Sequence, residues 1–212
     1  MNIITKKVRL IPAPFVGSSF RIRVSEDDLS WGLDSFSFAD GESSVRIDWG
    51  DGAIEVASSS QNVIHTYEHA GEYLVRVGDS IATLRLTGNA EFGTAHAHKL
   101  IRFETMAQKL YRLSWYAFKN CVNLEYVNIK RSGITTIDRF AFADCVSLVG
   151  RIDLPLVTHF STSPGNTPFI GCRGGITEIH FCKEMAEVIG QSADFLKDPS
   201  LGTGTAVVSF DL

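Results

Sequence analysis

The chain has 212 residues, a formal net charge of −4 and 44% hydrophobic residues, enough for one large domain or two small ones, each with its own core. The acidic balance leaves no electrostatic footprint for nucleic acid. No apolar run approaches the roughly 18 residues of a membrane span, and no run of like charge marks a membrane-surface patch. Met1–Arg9 carries basic residues with no apolar stretch after them, so no secretory signal peptide is expected in this chain.

The N-terminal half reads as short strands separated by turns. Ile3 to Leu10 is a first candidate, followed by Pro12 and Pro14. Phe20-Arg21-Ile22-Arg23-Val24 alternates cleanly, with Phe20, Ile22 and Val24 on one face. Ser25–Leu29 is an acidic turn, and Phe36-Ser37-Phe38 is expected to start another strand. Val45, Ile47 and Trp49 share a face of a strand that runs into Gly50-Asp51-Gly52. Glycines on both sides of Asp51 permit the positive φ of a tight hairpin turn. Ala53–Val56 leaves that turn, and Ser58–Asn62 is a polar loop. Val63–Tyr67, Tyr73–Val77 and Ile81–Leu86 complete the strands. Short strands with turns every 8–12 residues or so indicate a β-sandwich.

Trp49-Gly50-Asp51-Gly52, then His65-Thr66-Tyr67, then Gly71-Glu72-Tyr73-Leu74-Val75 come in the order of a known pattern. This resembles the polycystic-kidney-disease-type (PKD) domain, whose pattern is W-x-F-G-D-G, then H-x-Y, then G-x-Y-x-V. Trp49 runs directly into Gly50, so the usual spacer is missing and the resemblance is to a divergent member. It spans residues 15–87 and implies an immunoglobulin-like sandwich used outside the cell as a spacer or binding module.

The texture changes at Leu86-Thr87-Gly88-Asn89, which divides the chain into units 1–87 and 88–212. Ala117-Phe118-Lys119-Asn120-Cys121-Val122-Asn123-Leu124 returns as Ala141-Phe142-Ala143-Asp144-Cys145-Val146-Ser147-Leu148. Leu100, Leu124, Leu148 and Ile176 lead four strands of similar spacing. A repeat of this length indicates a solenoid, in which stacked units share a core that no single unit can bury. Phe, Cys and Leu at i, i+3 and i+6 fit a short helical turn with its apolar side on the strand ladder. The third unit ends in Phe169-Ile170-Gly171-Cys172, and Phe160–Thr167 reads as an inserted, exposed loop. Met185–Ile189 and Ala193–Leu196 read as a capping helix, and Ala206–Phe210 as a terminal strand.

The units Leu113–Leu124 and Ile137–Leu148, with Leu154-Pro155 after them, resemble the BspA-type leucine-rich repeat, I-x-x-x-A-F-x-x-C-x-x-L-x-x-I-x-L-P. The resemblance covers residues 98–182 and implies a bacterial cell-surface protein that binds or adheres. The fold class expected is therefore mainly β, an immunoglobulin-like sandwich plus a short leucine-rich-repeat solenoid with short helical turns.

Chemistry finds little support. Gly171-Cys172-Arg173-Gly174-Gly175 lacks the Lys-Ser/Thr of a phosphate loop, and there is no Gly-x-Ser-x-Gly elbow. Asp48 and Asp51 admit a calcium or acid/base reading, but two carboxylates fall short of the six to eight or so oxygens calcium takes. Asp51 is read as a turn cap and Asp48 as a solvated strand residue. His65 is read as a packing residue, His96 and His98 as linker histidines, and Cys121 and Cys145 as buried thiols. No catalytic, cofactor or metal site is assigned.

The function expected is non-catalytic binding of a protein or glycan. The alternatives kept are a structural part of a phage or prophage particle and a metal-dependent hydrolase. Candidate contacts are the ladder residues that the core does not need: Arg102, Glu125, Tyr126, Asn128, Arg151, Asp153 and Glu178.

Overall fold

A computed structural model describes residues 15–86, 96–161, 166–172, 175–190 and 206–211. The expected strand at Ile3–Leu10 and the helical segment Ala193–Leu196 lie outside them. The strands are β1 Gly17–Val24, β2 Ser30–Phe38, β3 Val45–Asp48, β4 Ile54–Ala57, β5 Gln61–Thr66, β6 Gly71–Gly78 and β7 Ile81–Arg85. They continue as β8 Leu100–Thr105, β9 Arg112–Leu113, β10 Tyr126–Asn128, β11 Thr136–Ile137, β12 Val149–Leu154, β13 His159–Phe160, β14 Gly175–Phe181 and β15 Val207–Phe210, with a helix, α1 Met185–Gly190, between β14 and β15.

Alternation sets the N-terminal layers. Phe20, Ile22 and Val24 of β1 are buried, as are Val45, Ile47 and Trp49 at β3 and Val75 and Val77 of β6. These strands form an antiparallel array in the order β1-β6-β3-β4. A second array, β7-β2-β5, supplies Trp31, Leu33, Leu84 and Val63 to the same core. Strand β2 differs from expectation, because Phe36–Phe38 closes it rather than starts it. Its first half was obscured by Gly32 and Asp34. Gly32 is there because its backbone packs against β5, where a Cβ would run into the backbone of Val63 and Ile64.

The repeats form two parallel ladders, one turn of chain contributing a strand to each. In the first ladder Tyr126 of β10 pairs with Arg102 of β8, and Arg151 of β12 with Glu178 of β14. The Val149 amide donates to the Glu125 carbonyl at 3.3 Å, which joins β12 to β10. The expected terminal strand is present as β15, paired parallel to β14. The second ladder is made of two-residue strands, β9, β11 and β13.

The A-F-x-x-C block lies between the ladders as consecutive three-residue turns. The Cys121 amide donates to Phe118 at 3.2 Å and the Leu124 amide to Cys121 at 2.9 Å. Asn120, Asp144 and Gly171, each just before the Cys, hold φ of 62°, 61° and 76°. Those three residue types tolerate the left-handed region best. Every block also bonds to the next, as in Asn120 amide to Ala143 carbonyl at 2.9 Å and Asp144 amide to Ile170 carbonyl at 2.8 Å. The result is a column of rings. Phe118 and Phe142 stack at 5.0 Å, and Phe142 and Phe169 at 5.1 Å, with interplanar angles of 10° and 6°. That spacing is close to the strand separation, about 4.8 Å, so each ring rides on its own turn.

The third unit departs from expectation. Phe160 and Thr167, the ends of the expected exposed insertion, are both buried. Phe160 takes the place of Ile137 on the second ladder and meets Phe181 edge-on at 5.0 Å. The Ser/Thr/Gly/Pro composition hid a core aromatic. Residues 162–165 fall outside the described set.

Both ladders continue the N-terminal arrays. β8 pairs antiparallel with β1, placing Phe103 opposite Phe20, and β9 pairs parallel with β7. Two sheets run β4-β3-β6-β1-β8-β10 and β5-β2-β7-β9-β11-β13, and β12-β14-β15 forms a third of three strands beside β10. One connected set of buried side chains extends from Phe20 to Ile189. The open core face of the first repeat is thus closed by strands rather than by a separate cap.

The junction corrects the reading of His96 as an exposed linker residue. His96 is only 4% exposed. Burial first, and the Lys99 charge second, depress its pKa to about 4. Lys99 is buried too, its ammonium donating to the Ser30 carbonyl at 2.6 Å and pairing with Asp28 at 2.5 Å. The turn before β8 is therefore fastened to the loop before β2. His98 remains exposed.

Candidate functional site

Strand pleating sends one set of ladder residues inward and the alternate set out. Phe103, Val127, Ile152 and Ile179 face the core, which leaves Arg102, Tyr126, Arg151 and Glu178 as one outward row across the first ladder. Two residues further along, Glu104, Asn128, Asp153, His180 and Ser209 make a second row. Six of the seven residues singled out from sequence lie in these rows. Glu125 is exposed one position before β10, at the rim.

The structure brings the candidates together in two groups. The Arg102 guanidinium lies 4.0 Å over the Tyr126 ring, a cation–π contact in which Tyr126 keeps 38% of its surface exposed. Arg151 donates to Asp153 at 2.7 Å and to both carboxylate oxygens of Glu178 at 3.1 Å. Ser209 also donates to Glu178, and these donors hold the Glu178 carboxyl below its ordinary range. The Asn128 side chain accepts from the Lys130 amide at 3.2 Å. Such side chains are held in place by their neighbours, so a partner would meet a preorganised surface.

Sequence reading stopped this surface at the repeats, whereas the face extends onto the N-terminal strands. Arg21 lies opposite Arg102, and Ser19 opposite Glu104. β1 and β8 are some eighty residues apart, and nothing local announces their pairing. The available signal was the polar set Ser19, Arg21 and Arg23 alternating with buried β1 residues.

Among the clefts lined by the described residues, two adjoin the ladders. One, of about 380 Å³, lies where β1, β8 and β10 end, lined by Phe15, Ser19, Glu104, Met106, Asn128, Lys130 and Arg131 among others. Another, of about 410 Å³, lies beside the second ladder between Trp115, His159 and Val188 of α1. Trp115 is 45% exposed and carries the Arg139 guanidinium 4.0 Å above its ring.

The residues that invited a metal or acid/base reading are engaged locally. Asp51 accepts from the Ala53 amide at 2.9 Å, so it caps the hairpin turn, and its other oxygen meets His65 at 2.7 Å. Asp48, read as solvated, accepts from the Gly50 amide at 3.0 Å and caps the same turn. His65 stacks on Trp49 at 5.0 Å and meets Tyr67 edge-on at 4.7 Å. Among the described residues no cluster of three or more His, Cys, Asp or Glu is arranged to hold a metal. No helix among them is long and apolar enough to cross a membrane.

The thiols form the expected column. Cys145 and Cys172 donate to the Phe118 and Phe142 carbonyls, each at 3.1 Å. Burial pushes Cys121 and Cys145 well above the ordinary thiol range and Cys172 up to about 12. A thiol so hard to ionise is a poor nucleophile and metal ligand.

Comparison with curated proteins and with solved structures returned no match. A family profile, the BspA type leucine rich repeat region in six copies, matches residues 92–197, half of the chain. Its span takes in every turn of the Phe and Cys columns, and the chain belongs to the BspA-type leucine-rich-repeat family.

Proposed function

We propose that the protein is a non-catalytic binding or adhesion protein that presents the outward face of its first ladder and the adjoining strand β1 to a protein or glycan. One observation carries this reading. The rows Arg102–Tyr126 and Arg151–Asp153–Glu178 stand outside the core on the first ladder, and the strand pairing that carries the first row continues onto β1. The repeats supply stacking surface and the deeply buried thiols supply no nucleophile, which favours recognition over catalysis. Arg102, Glu125, Tyr126, Asn128, Arg151, Asp153 and Glu178 are the proposed contacts, with Tyr126 and the arginines as anchors because aromatic and guanidinium groups dominate binding energetics.

Residues 1–87 are proposed as a PKD-like, immunoglobulin-like unit and residues 88–212 as the repeat unit with its cap. The buried pair Trp49 and Tyr67, joined by the Tyr67 hydroxyl donating to the Trp49 carbonyl at 3.1 Å, supports the first assignment. The positive φ of Gly50 (86°) and Gly52 (102°) supports it as well. The site of action proposed is extracellular, at a cell surface. Labelling of intact cells with an antibody to the chain tests this, and signal only after lysis overturns it.

The binding reading is tested with the full chain on a glycan array and in pull-downs from the secretions of candidate host cells. Wild type is compared with Tyr126→Ala and with Arg151→Ala. A captured ligand that both variants lose supports the face. A ligand held equally by both variants places recognition elsewhere on the molecule.

A further inference from the structure

We infer that the cleft where β1, β8 and β10 end is a subsite for a carboxylate-bearing saccharide, with Lys130 and Arg131 as the anion-binding groups. This rests on the binding reading above and names a ligand class for one end of the proposed face. Asn128 and Glu104 of the outward rows line the cleft, together with Ser19, Thr105, Phe15 and Met106. Its volume of about 380 Å³ lies within the range of small-ligand sites, roughly 300–1,000 Å³.

Charge points to an anion. Lys130 is 63% exposed at its side chain, and its one ion pair is a loose 3.8 Å contact with Asp153. Arg131 is exposed and forms no ion pair among the described residues. Glu104, the acid in the cleft, is bound by Arg102 at 2.5 Å. A protein of net charge −4 thus has, at this point, two cations with unused donors and one carboxylate already neutralised. A guanidinium and an ammonium lining one cleft suit a carboxylate, which takes charge-assisted hydrogen bonds from such groups.

The remaining lining argues for a sugar over an acidic peptide. An extended peptide gains its affinity by adding to an open sheet edge. Here β1 is paired on both sides, with β6 and β8, and β8 on both sides, with β1 and β10, while the outer side of β10 is flanked by β12, whose Val149 amide bonds to the Glu125 carbonyl at 3.3 Å. Recognition must come from side chains. The Ser19 hydroxyl and Asn128 amide match ring hydroxyls, and Phe15 and Met106 offer an apolar wall to the C–H face of a pyranose. The cleft is too small and too weakly basic for a nucleic acid backbone.

The test titrates the full chain with a galacturonate tetramer, its methyl-esterified counterpart and a tetraglutamate peptide, followed by calorimetry. Saturable binding is expected for the galacturonate tetramer alone, weakening as salt is raised. Lys130→Gln with Arg131→Gln should lower the affinity at least about tenfold, as expected for the loss of charged hydrogen bonds. Phe15→Ala should weaken binding while leaving its salt dependence in place. Lys183→Gln, an exposed charge outside the cleft, is the control and should bind as wild type. Both cations are exposed, so the double variant should melt as wild type. Equal affinity for the esterified sugar, undiminished binding by the double variant, or no binding of the galacturonate tetramer overturns the subsite. Preference for tetraglutamate overturns it in favour of an acidic peptide. A ligand captured through Tyr126 and Arg151 but indifferent to the double variant overturns the subsite while the broader binding reading stands.

Discussion

Single residues carry backbone and protonation constraints that the repeat pattern alone does not express. Gly171 occupies the left-handed position before the third Cys, at φ 76°, where the two earlier turns use Asn120 and Asp144. A Cβ at Gly171 would strike the Asp144 carboxylate. Gly171→Ala should therefore destabilise by roughly 1–2 kcal/mol, the cost of a left-handed alanine plus a displaced carboxylate. Chemical denaturation measures it, and an unchanged midpoint would mean that this turn relaxes freely. His96 imposes a pH dependence. Its pKa is lowered to about 4 in the fold, chiefly by burial, against 6.5 for the ordinary group. Between those values the unfolded chain binds a proton that the native protein refuses, so acid favours unfolding. Stability should be highest above about pH 6.5 and fall by up to about 1.4 kcal/mol per pH unit on the way to about pH 4. The lowered carboxyls of Asp28 and Asp51 lose their contributions only below their ordinary value of 3.8, which separates the two effects. His96→Gln should flatten the slope between pH 6.5 and 5 in urea titrations. An unaltered slope would remove His96 as its source.

At the scale of elements, the stacked turn is the unit of stability. Phe142 lies between Phe118 and Phe169, with rings 5.0 and 5.1 Å away. Phe142→Ala should cost about 3–5 kcal/mol, the range for a fully buried phenylalanine. Phe118→Ala should cost a similar amount, because Phe103 and Phe142 flank it at 4.6 and 5.0 Å. Unchanged thermal midpoints in both variants would refute the register of the stack. Most of this was legible, because A-F-x-x-C-x-x-L states the column outright and period-two runs state the faces of β1, β3 and β6. What escaped has physical causes. Phe160 lies in a polar run, where its burial depends on Phe181, distant in sequence. The half of β2 before Phe36 is written in Trp, Gly and buried Asp, a pattern that only packing against β5 explains. Lys99 looks like any surface lysine until Ser30 and Asp28 are placed around it. On the outward face the alternation identified which ladder residues point away from the core. It could not reveal that Arg21 joins Arg102, because that register is set by an antiparallel pairing across the middle of the chain.

The whole molecule is organised by that same pairing. Phe20 packs against Phe103 at 5.1 Å, and Phe103 against Phe118 at 4.6 Å, so the aromatic column begins in β1 and runs through the repeats. A repeat array is stabilised by nearest-neighbour interfaces and exposes a raw hydrophobic face wherever a neighbour is removed. Here the first neighbour is the pair of strands β1 and β7, bonded to β8 and β9. Unfolding of the full chain should then be a single cooperative transition, with near-ultraviolet dichroism and tryptophan fluorescence superimposable through a denaturant titration. Trp31 and Trp49 report on the N-terminal strands and Trp115 on the repeats, so the two signals cover both parts. Expressed alone, residues 88–212 would leave β8 with an open edge and Leu100, Phe103 and Leu113 without their cover, which favours aggregation. The fragment should be insoluble or lack a cooperative melt. A fragment that melts at the temperature of the full chain would show that the repeats close their own end, and that the strands shared across the junction contribute orientation without contributing stability.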